Sequence, residues 1–240
     1  MLEMKGVSKI YRTGQIETRA LNAIDLHIRE GEFVCLTGPS GSGKTTCLNV
    51  MGLLESFSEG DYLLDGQNVK ALNDDQLSSI RNHKIGFIFQ AFNLLSDLPA
   101  YDNIEVPLRY QGLKASERKS RIEHALETVG LSSRSKHLPA QLSGGQQQRI
   151  AIARALAANP RILLADEPTG NLDTSMAKEV MDLLVKINSE GTTIVMVTHD
   201  NELTRRASRN ISILDGRILS DTPATKGAGA SDGAPHHAVV

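Results

Sequence analysis

The stretch GPSGSGKT at Gly38–Thr45 matches the pattern G-x-x-x-x-G-K-[ST]. It follows the apolar run FVCLT and precedes a helix-like stretch, TCLNVMGLL. In such a loop, glycines let backbone N–H groups wrap around an oxygen-rich anion, Lys44 adds a point charge, and the Thr45 hydroxyl can bind Mg²⁺. The pattern therefore predicts a nucleotide phosphate loop. Its candidate contact residues are Gly38, Pro39, Ser40, Gly41, Ser42, Gly43, Lys44, Thr45 and Thr46.

Two adjacent carboxylates end a second apolar run, in the segment RILLADEP. Asp166, at the carboxyl end of a buried strand, can hold Mg²⁺ through water, and Glu167 can polarise a water that attacks the terminal phosphate. An acidic pair after a strand is also an ordinary helix cap. Together with the phosphate loop, the pair predicts a Walker B site. These two motifs are compatible with a kinase, a GTPase or a helicase.

The pentapeptide LSGGQ at 142–146 distinguishes between these classes. At average composition it occurs by chance in only about one chain in several thousand. It precedes the helix-like stretch QQRIAIARALA, so Ser143, Gly144, Gly145 and Gln146 would present N–H donors at a second helix N-terminus. Two phosphate-binding surfaces in one chain indicate a nucleotide clamped between them.

The elements that must position these motifs are indicated by apolar patterning. Four runs that are apolar at nearly every position predict parallel strands covered on both faces. Alternation over 24–28 predicts a half-buried strand, and two Asp-Gly pairs predict tight hairpin turns. The four runs are Phe33–Thr37, Ile85–Phe89, Ile162–Ala165 and Ile194–Thr198, and the two pairs are Asp65-Gly66 and Asp215-Gly216. We therefore expect an α/β core with antiparallel strands at both ends of the chain.

Helical spacing of apolar residues recurs between the predicted strands. One helix, with Ile122 and Leu126 on its apolar face, has Ser116 as its expected N-cap and Gly130 as its expected stop. A second helix ends before Gly191. The alternation of strands and helices predicts right-handed crossovers in the core.

Composition excludes several classes of protein. The 240 residues carry 26 basic and 28 acidic side chains, and this lack of basic excess argues against a dedicated nucleic-acid binder. Cys35 and Cys47 are too few for a disulfide framework, and we expect both to be buried. No apolar stretch approaches the ~18 residues of a membrane span, and the N-terminus lacks a signal-peptide pattern, so we expect a cytosolic chain. The composition of residues 221–240 predicts a disordered tail.

From about Leu2 to Leu219 the chain resembles the ABC ATPases, the nucleotide-binding subunits of ATP-binding-cassette transporters. The resemblance implies a RecA-like P-loop core spanning residues 1–220, with a helical subdomain at about 91–158 that carries LSGGQ. It also implies ATP and Mg²⁺ as ligands. The expected assembly is a head-to-tail homodimer, in which LSGGQ of one subunit closes on the ATP of the other. Hydrolysis would power an integral-membrane permease, and binding to this permease would hold the chain at the inner face of the cell membrane.

The resemblance also implies roles for single residues. Gln90 would sense Mg²⁺ and the attacking water, His199 would contact the γ-phosphate, and Tyr11 would stack on adenine. The sequence NLD at 171–173 matches a loop exchanged across the dimer, but Gly170 stands where many members have serine, so no contact is assigned there. The implied catalytic residues are Glu167, His199, Gln90 and Lys44, and the implied metal ligands are Thr45, Gln90 and Asp166.

Within the family, GFIFQAFNLL, DNIEVPL and LADEPTGNLD resemble the branch of the macrolide-exporter and lipoprotein-releasing ATPases. By this resemblance Ala91–Leu95 would receive a permease helix, although its apolar side chains could instead pack onto the core. One alternative is a regulatory ATPase that controls an envelope hydrolase through a permease-like partner. Another is an ABC ATPase of DNA maintenance, which the lack of sustained heptads between Gln90 and Leu142 argues against.

Overall fold

A computed structural model describes residues 1–14 and 16–223 of the chain. The strands are β1 (Leu2–Thr13), β2 (Ile16–Ile28), β3 (Phe33–Thr37), β4 (Glu59–Leu64), β5 (Gln67–Asn68), β6 (Ile85–Ile88), β7 (Ile162–Asp166), β8 (Thr193–Val197), β9 (Arg209–Leu214) and β10 (Arg217–Pro223). The α-helices are α1 (Lys44–Met51), α2 (Asp74–Lys84), α3 (Ala100–Tyr110), α4 (Ala115–Thr128), α5 (Gly144–Ala157), α6 (Thr174–Ser189) and α7 (Asn201–Thr204).

The central sheet has the strand order β10-β9-β3-β8-β7-β6. The four apolar runs form β3, β6, β7 and β8, which are parallel, as predicted. Their side chains are buried on both faces of the sheet. One apolar cluster lies between this sheet and the antiparallel layer, and the other lies under the helices of the α3–α6 region. The parallel sheet thus brings the carboxyl ends of β3, β7 and β8 to one edge.

The predicted N-terminal antiparallel layer is present as a second sheet with the order β2-β1-β4-β5. Both Asp-Gly pairs form two-residue turns with positive φ at each residue: 51° and 77° at Asp65 and Gly66, and 48° and 71° at Asp215 and Gly216. The C-terminal hairpin differs from the expectation in one respect. β9 pairs parallel with β3 and extends the central sheet, because its buried Ile211 and Ile213 complete the core there.

Helix α4 begins before the residue expected to cap it. Lys114 occupies the N-cap position without a side-chain cap, and its carbonyl accepts from the Arg118 N–H over 3.0 Å. Ser116 is therefore the second residue of the helix, and its prediction as the N-cap was wrong. The predicted stop is confirmed, since the helix ends at Thr128 and Gly130 has a φ of +69°.

The last described strand extends beyond the predicted domain boundary. β10 continues to Pro223, and Asp221 accepts two hydrogen bonds from the Arg209 guanidinium, over 2.7 and 2.6 Å. Residues 221–223 of the expected tail are therefore part of β10, and the rest of that prediction, residues 224–240, lies outside the described part of the chain. Among residues 1–14 and 16–223, no helix is long and apolar enough to cross a bilayer. Both cysteines are buried free thiols, as expected.

Candidate nucleotide-binding site

The phosphate loop connects the end of β3 to the start of α1, as the sequence predicted. Gly43 occupies the N-cap position of α1 with a φ of 101°. The Lys44 side chain is largely buried, and its ammonium donates to the carbonyl oxygens of Gly38 and Pro39 over 2.9 and 2.8 Å. The lysine ammonium therefore folds back onto the first residues of the phosphate loop, beside the N–H groups that begin α1.

Tight backbone contacts explain why glycine occupies both ends of this loop. Gly38 has a φ of 141°, and a Cβ added there would lie 2.1 Å from the carbonyl oxygen of Ile213. A Cβ added at Gly43 would lie 2.5 Å from the carbonyl oxygen of Ala20. Any side chain at these positions would displace the loop or the strands beside it.

The two carboxylates of the Walker B segment face different neighbours. The Thr45 hydroxyl donates to Asp166 Oδ1 over 3.4 Å, which joins α1 to the end of β7. Burial raises the pKa of Asp166, the charge of Glu167 adds to this effect, and Thr45 and Lys44 oppose it. Because burial and the Glu167 charge disfavour the ionised form of Asp166, a cation bound at this edge of the sheet would stabilise that form.

Glu167 lies beside His199 at the edge of the central sheet. Its φ of 44° turns the chain out of β7, and its N–H donates to the carbonyl of Val197 over 3.0 Å. His199 Nδ1 lies 3.4 Å from Glu167 Oε1. The left-handed backbone at a residue other than glycine is the kind of strain that occurs at functional sites. The structure thus brings together the two residues expected to act at the γ-phosphate.

Gln90 contacts the loop that follows the Walker B segment. Its side-chain Nε2 donates to Asn171 Oδ1 over 3.5 Å, and Asn171 Nδ2 donates to the Gln90 carbonyl over 3.0 Å. A Cβ added at Gly170 would lie 2.6 Å from Gln90 Nε2. Glycine at this position, where the family resemblance led us to expect serine, therefore leaves room for the Gln90 side chain.

Tyr11 lies near the start of α1 and has partners that the sequence did not indicate. Its hydroxyl donates to the Glu55 carboxylate, and Thr46, the last predicted residue of the phosphate site, lies close enough to oppose the rise in the Tyr11 pKa. The Lys9 ammonium lies 5.0 Å from the centre of the tyrosine ring and 3.7 Å from Glu55 Oε1. Partial burial is the main reason why the Tyr11 pKa is raised, and Glu55 adds to it. The residue is 37% exposed, which leaves surface available for stacking.

The LSGGQ motif begins helix α5, as predicted. Ser143 is the N-cap, and its hydroxyl accepts from the Gln146 N–H over 3.3 Å. The Gln146 side chain in turn accepts from the Ser143 N–H over 3.0 Å, which completes a capping box. In the described part of this single chain, no hydrogen bond joins the motif to residues 38–46. Within the described residues of one chain, hydrogen bonds therefore do not join the two predicted phosphate-binding surfaces to each other.

Two residues that sequence reasoning missed shape the segment after Gln90. The buried amide of Asn103, on α3, accepts from the Leu95 N–H over 2.7 Å and donates to the Leu98 carbonyl over 2.8 Å. The Arg154 guanidinium, on α5, donates hydrogen bonds to the carbonyls of Phe92 and Asn93, which precede Leu95 in the chain. The signal for Arg154 was a charged side chain within the apolar stretch IAIARALA.

A family model described as ABC transporter matches residues 21–170, which is more than half of the chain. The chain belongs to the ABC transporter family. The relatives of this cassette include the uncharacterized ABC transporter ATP-binding protein YknY of Bacillus subtilis (strain 168). It is 46% identical over 95% of this chain and 97% of its own length.

The cassette is also similar to part of longer proteins. The macrolide export ATP-binding/permease protein MacB of Azoarcus sp. (strain BH72) is 47% identical over 98% of this chain but only 36% of the relative. The chain thus spans about a third of the length of these macrolide export relatives. The predicted resemblance to the macrolide-exporter ATPases is therefore confirmed.

Solved structures support the same assignment. The post-hydrolysis dimer of the ATP-binding cassette MJ0796, bound to ADP and Pi, superposes with a TM-score of 0.86 at 44% identity and covers 94% of this chain. A second dimeric structure of MJ0796, a bacterial ABC transporter cassette, gives the same TM-score at 45% identity. The predicted fold class and the predicted class of enzyme, an ABC-type ATPase, are both confirmed.

Proposed function

We propose that this cassette binds and hydrolyses ATP to power a membrane permease, working as a homodimer with ATP at the interface. One observation carries the proposal. Lys44 and Thr45 at the start of α1, Asp166 and Glu167 at the end of β7, and His199 after β8 lie along one edge of the central sheet. This edge is where open α/β sheets bind ligands.

The residues of the site can divide the chemistry between them. Backbone N–H groups of the loop and the Lys44 ammonium bind the phosphates. The Glu167 carboxylate, only 27% exposed at its side chain, polarises the attacking water. His199 Nδ1 lies 3.4 Å from this carboxylate. The imidazole would hold the carboxylate and contact the γ-phosphate. Positioning and charge stabilisation account for most of the catalysis in such phosphoryl transfers.

The site also suits a magnesium ion. Thr45 and Asp166 offer hydroxyl and carboxylate oxygens that lie 3.4 Å apart. The Gln90 amide oxygen would complete this donor set. Such hard oxygen donors are the ligands that Mg²⁺ prefers. When bound, the ion would neutralise charge between the β- and γ-phosphates.

The homodimer is supported by the separation of the two anion-binding surfaces. Among the described residues, no hydrogen bond joins Ser143 at the N-terminus of α5 to the phosphate loop of the same chain. The related MJ0796 cassettes are dimeric. A second subunit would bring its LSGGQ motif to the ATP held beside Lys44, and the site would then be complete only in the dimer.

A groove between β6, α2, α3 and α5 supports the permease as partner. It has a volume of about 680 Å³, and its lining includes Phe89, Val106 and Tyr110. Tyr110 is 82% exposed. Of the predicted permease surface, Leu94 packs partly against the core, whereas Leu95 is 51% exposed. We assign Leu95 and Tyr110 to the permease-binding surface, which holds the chain at the membrane, and Leu94 to packing.

Two experiments test the proposal. The purified chain should hydrolyse ATP in the presence of Mg²⁺, and replacement of Glu167 should abolish turnover without abolishing ATP binding. For the partner, Leu95→Ser and Tyr110→Ser should reduce co-purification with the integral-membrane protein of the neighbouring reading frame. The matched control is Leu219→Ser, on β10, because Leu219 is also exposed (68%). Equal co-purification by all three variants would contradict the assigned surface.

A further inference from the structure

We propose that the Asp215-Gly216 turn positions the phosphate loop, and that Gly216 is a positioning residue for nucleotide binding. The inference rests on the proposed function, since it concerns the same phosphate loop. It assigns to the C-terminal hairpin a role that none of its side chains suggests. The contacts involved are all between backbone atoms.

Hydrogen bonds first connect the turn to two other parts of the chain. The Gly216 N–H donates to the Ser42 carbonyl, inside the phosphate loop, over 3.0 Å. The Gly216 carbonyl accepts from the Asn22 N–H, on β2, over 2.8 Å. One residue of the turn therefore bridges the phosphate loop and the antiparallel layer.

Close backbone packing reinforces these hydrogen bonds. A Cβ added at Gly216 would lie 2.6 Å from the Ala20 carbonyl oxygen and 3.0 Å from Leu21 Cα. The same Ala20 oxygen lies 2.5 Å from the position of a Cβ added at Gly43, and that Cβ would lie 3.5 Å from Gly216 Cα. The backbones of Ala20, Gly43 and Gly216 thus lie so close together that neither glycine position has room for a side chain.

The hairpin also reaches the other end of the loop. The carbonyl oxygen of Ile213, on β9, lies 2.1 Å from the position of a Cβ added at Gly38. The backbone of β9 and its turn therefore contacts the loop at its first residue, at Ser42 and near Gly43. Because Gly43 is the N-cap of α1, a shift here would reorient the first N–H groups of the helix and the Lys44 side chain that follows.

A side chain at position 216 should consequently act on nucleotide binding. It cannot enter without moving the turn, which carries the hydrogen bond to Ser42, or moving Ala20, whose carbonyl also packs against Gly43. Displacements of about 1 Å in a positioned site can change function by as much as about a hundredfold. The effect should appear as weaker binding of nucleotide rather than as a general loss of folding.

The chain supplies a matched control for this test. Gly66 occupies the equivalent position of the Asp65-Gly66 turn, with a φ of 77° against 71° at Gly216, but a Cβ added there would meet nothing within 4 Å. Gly66→Ala and Gly216→Ala therefore introduce the same left-handed strain at the same turn type. Only the second introduces a clash beside the phosphate loop.

The experiment measures MgADP binding by titration calorimetry, together with thermal unfolding. We expect Gly216→Ala to raise the Kd for MgADP by about tenfold or more, and Gly66→Ala to leave it unchanged. Should Gly216→Ala fail to fold, two glycines inserted between Asp215 and Gly216 remove the contact without adding a side chain. The same insertion between Asp65 and Gly66 is its control.

The outcomes separate the inference from the function on which it rests. Equal Kd values for the unmodified chain, Gly66→Ala and a folded Gly216→Ala would overturn the inference alone. If Gly216→Ala does not fold, equal Kd values for the unmodified chain and the two insertion variants would overturn it in the same way. Failure of the unmodified chain to bind MgADP or MgATP would contradict the proposed function and the inference together.

Discussion

Arg154 Nη2 donates to the carbonyl of Phe92 over 2.9 Å, although the two residues lie 62 positions apart in the sequence. The same guanidinium donates to the carbonyl of Asn93. Phe92 and Asn93 have φ values of 59° and 50°, a left-handed pair directly after Ala91 and close to Gln90. Helix α5, which begins at the LSGGQ motif, therefore holds the segment that leads from Gln90 to the helical region.

Removal of this guanidinium should destabilise the fold. Burial lowers the pKa of Arg154, so its charge depends on these two carbonyls for compensation. We expect Arg154→Met to lower the free energy of unfolding by about 1.5–3 kcal/mol, the range for a hydrogen bond to a charged group. Urea denaturation measures it. Arg161→Met, at an exposed ion pair with Glu30, is the control and should cost about 1 kcal/mol or less. Equal losses would contradict the role of Arg154.

Glu167→Gln should keep ATP binding and lose nearly all turnover, because the carboxylate that orients water is removed while the loop around Lys44 is intact. ATP binding and dimer formation are thermodynamically linked if closure adds contacts to both nucleotides. Size-exclusion chromatography with ATP should therefore show a persistent dimer. Glu190→Gln, at an exposed carboxylate on the surface, should behave as the unmodified chain. A mutant that binds ATP but stays monomeric at high concentration would refute the shared-site dimer.

Tyr11→Ala should weaken ATP binding by about 1–3 kcal/mol, the contribution of stacking on one base. Tyr11→Phe separates the ring from the hydroxyl, since it keeps the stacking surface and loses the hydrogen bond to Glu55. We expect the phenylalanine variant to bind almost as the unmodified chain does. Nucleotide titrations of both variants test this. If both lose affinity equally, the hydroxyl and Glu55 matter, and stacking does not.

Two truncations should differ because of Asp221. Removal of residues 224–240 should leave the melting temperature and basal ATPase activity unchanged, since their composition offers little to bury. Removal of residues 221–240 also deletes the two hydrogen bonds from Arg209 and the end of the β10 pairing with β9. We expect this shorter chain to melt several degrees lower, about 1–2 kcal/mol less stable. Identical melting curves for the two truncated chains would show that residues 221–223 do not contribute to stability.

The two thiols should be unreactive in the folded protein. Burial raises the pKa of both Cys35 and Cys47 to about 12, so almost no thiolate exists at pH 8. A thiol reagent should modify them only as urea unfolds the chain. Because the raised pKa favours the protonated native state, stability should fall as the pH rises above about 8.5, the unfolded value. Rapid labelling of either thiol without denaturant would contradict their burial.

Local patterns were sufficient for much of this protein. The fully apolar runs predicted β3, β6, β7 and β8 because a parallel strand covered on both faces needs apolar residues at every position. The two Asp-Gly turns followed from the positive φ that each position requires. The phosphate loop and LSGGQ could be identified because each is a contiguous backbone feature at a helix start, so its chemistry is encoded by neighbouring residues.

Tertiary structure alone decided which distant groups meet. Nothing local pairs Tyr11 with Glu55, 44 residues away, or Arg154 with Phe92, because a side chain's partner depends on how whole elements pack. The prediction of Ser116 as the N-cap was wrong for a related reason. The first turn of α4 begins at Lys114, whose side chain makes no capping hydrogen bond. The sequence marked Gly216 as a turn residue, but only the folded chain places its backbone against the phosphate loop, since close packing is a property of three dimensions.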